Sequence, residues 1–471
     1  MRRPRREASG PRGGMIRNSN RSSSSTTPIR EDSKTPDLTI QHKCRFEPVT
    51  TNSAFRLFHL SVISLRYFNR LNAALIFVMG AALESFAIRL QSYIGIELMT
   101  PSTPEAPEKS AHPSGMTTRL LLYARKVLRP KKPPLYVFGF SSWKTFITDW
   151  FPDYTVILAP TKLKPGQFDR HWKKKLVLDE RSIVLSWQYK GPQQLKDFCE
   201  ANSIPFYYVE DGFIRSLKLG ALRTPPMSLT FDRQDMYFRS DKPTDLENIL
   251  SNYDFDNDKQ LIYRARNAIS YMLNNGISKY NSGSSFNIES VYGQKSQKRV
   301  LVIGQVESDA SIAYGCNRPF TNNDLVRLAR RENPEADLIY KPHPEVLSGL
   351  ASKLSDPNDV RPIAKILDDD VALSDSFQSI DHVYTITSLS GFEALLRGIK
   401  VTTIGCPFYS GWGLTDDRQP NLRRNRTLSV EEVFACAYIL YPRYFDPQKK
   451  KYIEIEDALA IIDKMRAKAK S

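Results

Sequence analysis

From Pro134 onward, short apolar runs alternate with helical stretches, and the alternation happens twice. Leu135-Tyr-Val-Phe-Gly139 reads as a buried strand, and 154–158, 182–186 and 206–209 read as further strands. A long helical region near 245–275 and a polar, Ser/Gly/Asn-rich stretch at 276–297 intervene. The pattern then restarts with Arg299-Val-Leu-Val-Ile-Gly304 and continues through Leu338, Val383 and 401–404. Strands separated by helices must cross over to stay in one sheet, which gives parallel sheets covered on both faces. The expected fold class is α/β, with two Rossmann-like domains facing a cleft and ligands held outside the carboxyl ends of the strands. The first domain is expected over 117–297, the second over 298–447, and a closing helix over 448–471. The two halves are alike in architecture and not in sequence.

The chain ahead of this part has a different composition. Residues 1–45 are rich in Arg, Ser, Pro and Gly and read as a disordered basic tail, in which Met15 offers a second translation start. Residues 46–116 form an apolar helical extension and linker. Within it, Phe58, Val62, Leu65 and Phe68 recur at helical spacing with arginines between them. The longest uncharged run there, 71–83, is about 13 residues and too short to span a bilayer. A hairpin in the headgroup layer and a helix docked on the protein's own core both satisfy this pattern. A short basic helix is expected at 117–128.

The formal net charge of +16 implies anionic company. Nucleic acid is not expected as a partner, because no recognisable module is present and the basic residues are scattered. The cysteines at 44, 199, 316, 406 and 436 are odd in number, widely spaced and without a C-x-x-C pair, a reduced-thiol pattern. None of the six histidines pairs with another His or a Cys at ligand spacing, so no metal site is expected.

The polar strings at the strand ends carry the chemistry. In Tyr384-Thr-Ile-Thr-Ser-Leu-Ser-Gly-Phe-Glu393 a strand stops at a hydroxyl cluster that opens a helix. Ser390 and Glu393 have the spacing of a capping box. The first-turn N–H groups, with Thr387, Ser388 and Ser390, suit a phosphate or carboxylate. Lys341-Pro-His343-Pro sets a cation and a titratable donor at another strand end, the prolines fixing the imidazole's direction. In Val209-Glu210-Asp211-Gly212 an acidic pair precedes a Gly that permits a tight turn, with Arg215 close enough to keep a carboxylate ionised; the alternative is a solvated turn. Gln305, Glu307 and Asp309 follow the first strand of the second half and suit sugar hydroxyls or acid–base work, or else loop capping. Tyr409 and Trp412 stack on a sugar or base, or pack an interface. Tyr441-Pro-Arg-Tyr-Phe-Asp-Pro447 ends a helix capped by Ser429 and Glu432 and returns the chain to the first domain.

Taken together, VEDGFIRSLKLGA with PPMSLTFD, GQVESDASI, YKPHPEV, TSLSGFEALLRG, PFYSGWGLTDD and YPRYFDP resemble, in order, the capsular polysaccharide biosynthesis family of retaining β-Kdo transferases, the KpsC/LipA type. The resemblance covers about 134–447. It implies a GT-B-like enzyme, the second domain binding the donor, that transfers Kdo from CMP-β-Kdo to a lipid-linked Kdo acceptor of phosphatidylglycerol type. It implies no cofactor and no metal. Asp211 takes the nucleophile's role with Glu210 beside it as a positioning group. His343 and Lys341 hold the departing CMP phosphate, and Thr387, Ser388 and Ser390 hold phosphate or the Kdo carboxylate. Gln305, Glu307 and Asp309 contact donor or acceptor. Such proteins often carry two tandem modules and this chain has one, most like the second, so it is expected to make one linkage type or to work beside a partner Kdo transferase. The expected location is cytoplasmic, peripheral on the inner face of the inner membrane, where the basic tail meets an acidic surface. The alternative is a non-catalytic capsule assembly or export factor that binds glycolipid.

Overall fold

In this computed structural model the described residues are 132–470, except 218–221, 282–285, 352–353 and 370. The tail expected at 1–45, the extension and linker at 46–116 and the helix at 117–128 lie outside them.

Five strands open the first sheet: β1 (Pro134–Phe138), β2 (Thr155–Leu158), β3 (Ile183–Trp187), β4 (Phe206–Asp211) and β5 (Ser228–Asp232). Six make the second: β6 (Arg299–Ile303), β7 (Asp337–Lys341), β8 (Lys365–Ile366), β9 (His382–Thr385), β10 (Lys400–Thr403) and β11 (Asp416–Asp417). The chain then returns with β12 (Pro442–Asp446) and β13 (Lys451–Ile453), which pair antiparallel beside β5 and complete the first sheet. Its order is β13-β12-β5-β4-β3-β1-β2. The pairing of β12 with β5 is the return expected of the segment ending at Pro447.

The second sheet is wholly parallel, in the order β11-β10-β9-β6-β7-β8. The strands of such a sheet are covered on both sides, and β6 reads Arg-Val-Leu-Val-Ile with every residue buried. Alternate residues feed opposite cores. Val300, Val302, Leu338 and Tyr340 pack on one face, Leu301, Ile303, Ile339 and Val383 on the other. The chain leaves β6 for β7 on one side and returns to β9 on the other. The order therefore reverses between β6 and β9, and the crevice at their carboxyl ends is where a ligand fits such a sheet.

Both sheets belong to one compact unit. Part of what joins them is ionic. Glu247, on the helix Asp245–Asn252, is buried and accepts from Arg423 Nε at 2.5 Å, Arg424 Nε at 3.0 Å and Asn421 at 3.3 Å. Removing the carboxylate strands a guanidinium that is itself buried, so Glu247→Ala is expected to cost about 3–5 kcal/mol in chemical denaturation. No helix among the described residues is long and apolar enough to cross a membrane.

Candidate active site

A cavity of about 290 Å³ opens at the β6/β9 crevice and extends to the carboxyl ends of β3 and β4. Ile303, Gly304 and Gln305 enter it from the end of β6, Lys341 and His343 from the end of β7, and Ser388 and Ser390 from the turn after β9. The first sheet contributes Gln188 and Glu210.

Successive side chains on a strand point to opposite faces, and Glu210 and Asp211 accordingly meet different surroundings. Glu210 lines the cavity. Asp211 is not part of the lining; its Oδ2 accepts from Arg215 Nε at 2.6 Å, and Arg215 is almost fully buried. Arg215 is the partner expected for this carboxylate, but the acidic group that lines the cavity is Glu210, expected beside it as a positioning group. Burial, then the charge of Asp211, raises the Glu210 carboxyl to about 7 against the pull of Lys144 and Lys279. Gly212 has a reason other than a tight turn. A Cβ there would come within 2.3 Å of Ser228 Oγ on β5, so the close strand approach requires glycine.

His343 caps the short helix Pro344–Leu347, its Nδ1 accepting from the Glu345 N–H at 3.2 Å. Burial lowers its pKa to about 4, with Lys279 and Lys341 adding to the effect and Asp309 opposing it. The ring is therefore neutral near pH 7, and with Nδ1 accepting, Nε2 carries the proton. Lys341 is buried and donates to the Val371 carbonyl from within the cavity wall.

Around β9 the residues come together in altered roles. Ser388, not Ser390, caps the helix Leu389–Leu395, accepting from the Ser390 N–H at 3.2 Å. Glu393 is no capping partner: it is buried, and its Oε1 accepts from the Lys279 N–H at 3.3 Å. The Gln305 amide binds Thr387 twice, accepting from its N–H at 2.7 Å and donating to its hydroxyl at 3.1 Å, which fixes the two strand-end loops to each other. Glu307 lies outside the cavity lining. It accepts from the N–H groups of Asn322, Leu354 and Ser355 and from the Ser355 hydroxyl, which is loop capping. Asp309 is exposed, lines the cavity and accepts from the Ser311 N–H at 2.7 Å. Tyr409 and Trp412 are both fully buried, Trp412 Nε1 donating to the Phe408 carbonyl at 2.8 Å, so they pack the core; Phe408 and Tyr237 face the cavity instead.

Two cations were not legible in the sequence. Lys279 comes from the polar stretch after the long helix and lines the cavity. Its carbonyl accepts from the N–H groups of Arg215 and Ser216, which ties this stretch to the loop after β4. Burial works against its ammonium, but Tyr280, Tyr237, Asp211 and Glu210 outweigh that and raise its pKa. Lys144 is buried under the Trp187 ring, where burial lowers its pKa to about 8 against Asp211 and Glu210. Neither sits in a string with distinctive spacing. Only the pairing of distant loops brings them to the carboxylates.

Known proteins resemble this chain in sequence and in fold. The family model described as capsule polysaccharide biosynthesis protein matches residues 182–444. The lipopolysaccharide-processing protein LpsZ of Rhizobium meliloti is 43% identical over 333 residues, 70% of this chain and 74% of that protein. The capsule polysaccharide modification protein LipA of Neisseria meningitidis is 39% identical over 328 residues, and the match spans 70% of this chain but only 45% of LipA. Among solved structures, KpsC of Thermosulfurimonas dismutans, described as a beta Kdo 2,4 transferase, aligns with a TM-score of 0.59 at 29% identity, over 71% of this chain and 99% of that one. A second KpsC structure from that organism, described as a beta Kdo 2,7 transferase, aligns at 0.55 and 31% over the same shares. The chain belongs to the capsule polysaccharide biosynthesis protein family and is of the KpsC/LipA type.

Proposed function

We propose that the chain is a retaining β-Kdo transferase of GT-B type that takes Kdo from CMP-β-Kdo and adds it to a lipid-linked Kdo acceptor at the inner face of the inner membrane. The observation that carries the reading is the cavity itself, where anion-holding groups from the second sheet meet carboxylates from both halves. The chain's likeness to two structures described as β-Kdo transferases supports it.

The donor is an anion with an activated phosphate. Lys279, the Nε2–H of His343 and the hydroxyls at Ser388 and Ser390 suit the CMP phosphate and the Kdo carboxylate, so the leaving group departs without a proton. Retention requires either two displacements or a front-face route, and carboxylates at the cavity favour the two displacements. In the first, a carboxylate oxygen bonds to the anomeric carbon as the bond to the CMP phosphate breaks and CMP leaves with the electron pair. Asp309 is the carboxylate we assign to this step, because it is exposed and lines the cavity, whereas Asp211 lies outside the lining with its Oδ2 held by Arg215. In the second, the acceptor hydroxyl attacks the same carbon, the Asp309 carboxylate leaves, and Glu210 takes the hydroxyl proton. A carboxyl held near 7 is matched to proton transfer at neutral pH and is a poor standing nucleophile.

Because the base works only when deprotonated, kcat is expected to fall on the acid side of about pH 7. Glu210→Gln should remove that limb together with most of the rate. Glu393, also raised to about 7 by burial, lines the same cavity, and Glu393→Gln should keep the limb. The test of the whole reading is incubation of the purified chain with CMP-Kdo, generated in place, and a synthetic Kdo acceptor, with product mass and anomeric configuration read out. A β-linked product supports transfer. The absence of any product favours the non-catalytic assembly or export factor.

A further inference from the structure

The flank of the first sheet beside β2 carries a stripe that takes no part in the cavity. Between 162 and 175 the chain holds six cations, Lys162, Lys164, Arg170 and 173–175, against one carboxylate, Asp169. The helix here runs through two segments, Phe168–Trp172 and Lys173–Leu176, and Phe168, Trp172 and Leu176 fix its inner face in the core against Tyr136 and Phe138. Arg170 and Lys174, one turn apart, are left exposed on the outside. Arg170 donates to the carbonyls of Pro165 at 3.1 Å and Gly166 at 3.2 Å, which draws the loop bearing Lys162 and Lys164 onto the same flank. Just past the helix, Val177 and Leu178 are 50% and 80% exposed. All of these residues precede 182, where the match to the family model begins.

We propose that this stripe is a docking surface for an anionic phospholipid bilayer. Lysines held on one rigid flank add their attractions to a charged headgroup layer, and exposed aliphatic side chains at the end of the stripe gain by entering the interface. A nucleic acid would use the charge alone. Single-stranded binders need exposed rings on which bases stack, whereas Phe168 and Trp172 face inward, and Val177 and Leu178 would stay in water against a phosphate backbone. The stripe lies wholly within the described residues.

The test uses the full chain with vesicles of phosphatidylcholine, with and without phosphatidylglycerol, in sedimentation at low and high salt. The expected result is binding to the anionic vesicles that salt weakens, and a loss of roughly a hundredfold in partitioning for the Lys162→Glu/Lys164→Glu/Lys174→Glu variant. Leu178→Asp should weaken binding while leaving its salt dependence in place. Because these side chains are exposed, an unchanged melting temperature confirms the fold without any need for glycosyl transfer, so the result stands or falls apart from the transferase reading. Equal binding by the triple variant and the parent overturns the proposal. So does equal binding to neutral and anionic vesicles, or release from vesicles by duplex DNA that the triple variant no longer binds.

Discussion

Asp309→Asn is expected to lower kcat/KM for Kdo transfer by about 10⁴-fold or more, with melting temperature nearly unchanged. The amide keeps the size of the side chain and its capping oxygen for the Ser311 N–H, so the start of the helix Ala310–Gly315 survives. What it lacks is a carboxylate able to form the covalent link. The effect should fall almost wholly on kcat, since the groups that hold the donor phosphate are other residues. Asp211→Asn should act differently. It removes the charge that Arg215 faces in a buried pair, so the variant should lose stability as well as rate.

Lys279→Met should cost about 10²–10³-fold in kcat/KM, divided between a raised KM for the nucleotide sugar and a lowered kcat. A methionine fills about the same volume beside Tyr237 and Tyr280 but supplies no charge to the departing phosphate. The Glu210 carboxyl should also move. Lys279 now opposes the burial that raises Glu210, so without it the acid limb of the pH–rate profile is expected to shift upward. A purely structural lysine would leave that limb where it is, and pH profiles of parent and variant separate the two cases.

What was legible in the sequence follows from what burial does to a strand. β1, β3 and β6 are buried along nearly their whole length and so read as apolar runs. β5 was invisible for the opposite reason: Ser228, Thr230 and Asp232 are buried polar residues, and no apolar run marks it. At the site, Lys341, His343, Ser388 and Ser390 are legible because they lie at or just past strand ends, where the switch point of the second sheet gathers them. The choice between Glu210 and Asp211 depends on strand parity at the last residues of β4, which an adjacent pair of acids cannot reveal. Glu393 has the spacing of a capping residue, but the helix starts at Leu389 with Ser388 as its cap, which turns Glu393 inward to Lys279. Lys279 itself is brought in from a loop by backbone bonds to residues 215 and 216, a contact between segments more than 60 residues apart with no local signature.

We propose that a carboxylate at 309 attacks the anomeric carbon while Glu210 serves the second step. Incubating Glu210→Gln with CMP-Kdo and acceptor, then measuring intact protein mass and mapping peptides, tests it most directly. The expected result is a gain of one Kdo unit carried on Asp309, because the intermediate forms but is discharged slowly. An adduct on Asp211, or a product of inverted configuration with no adduct at all, would contradict it.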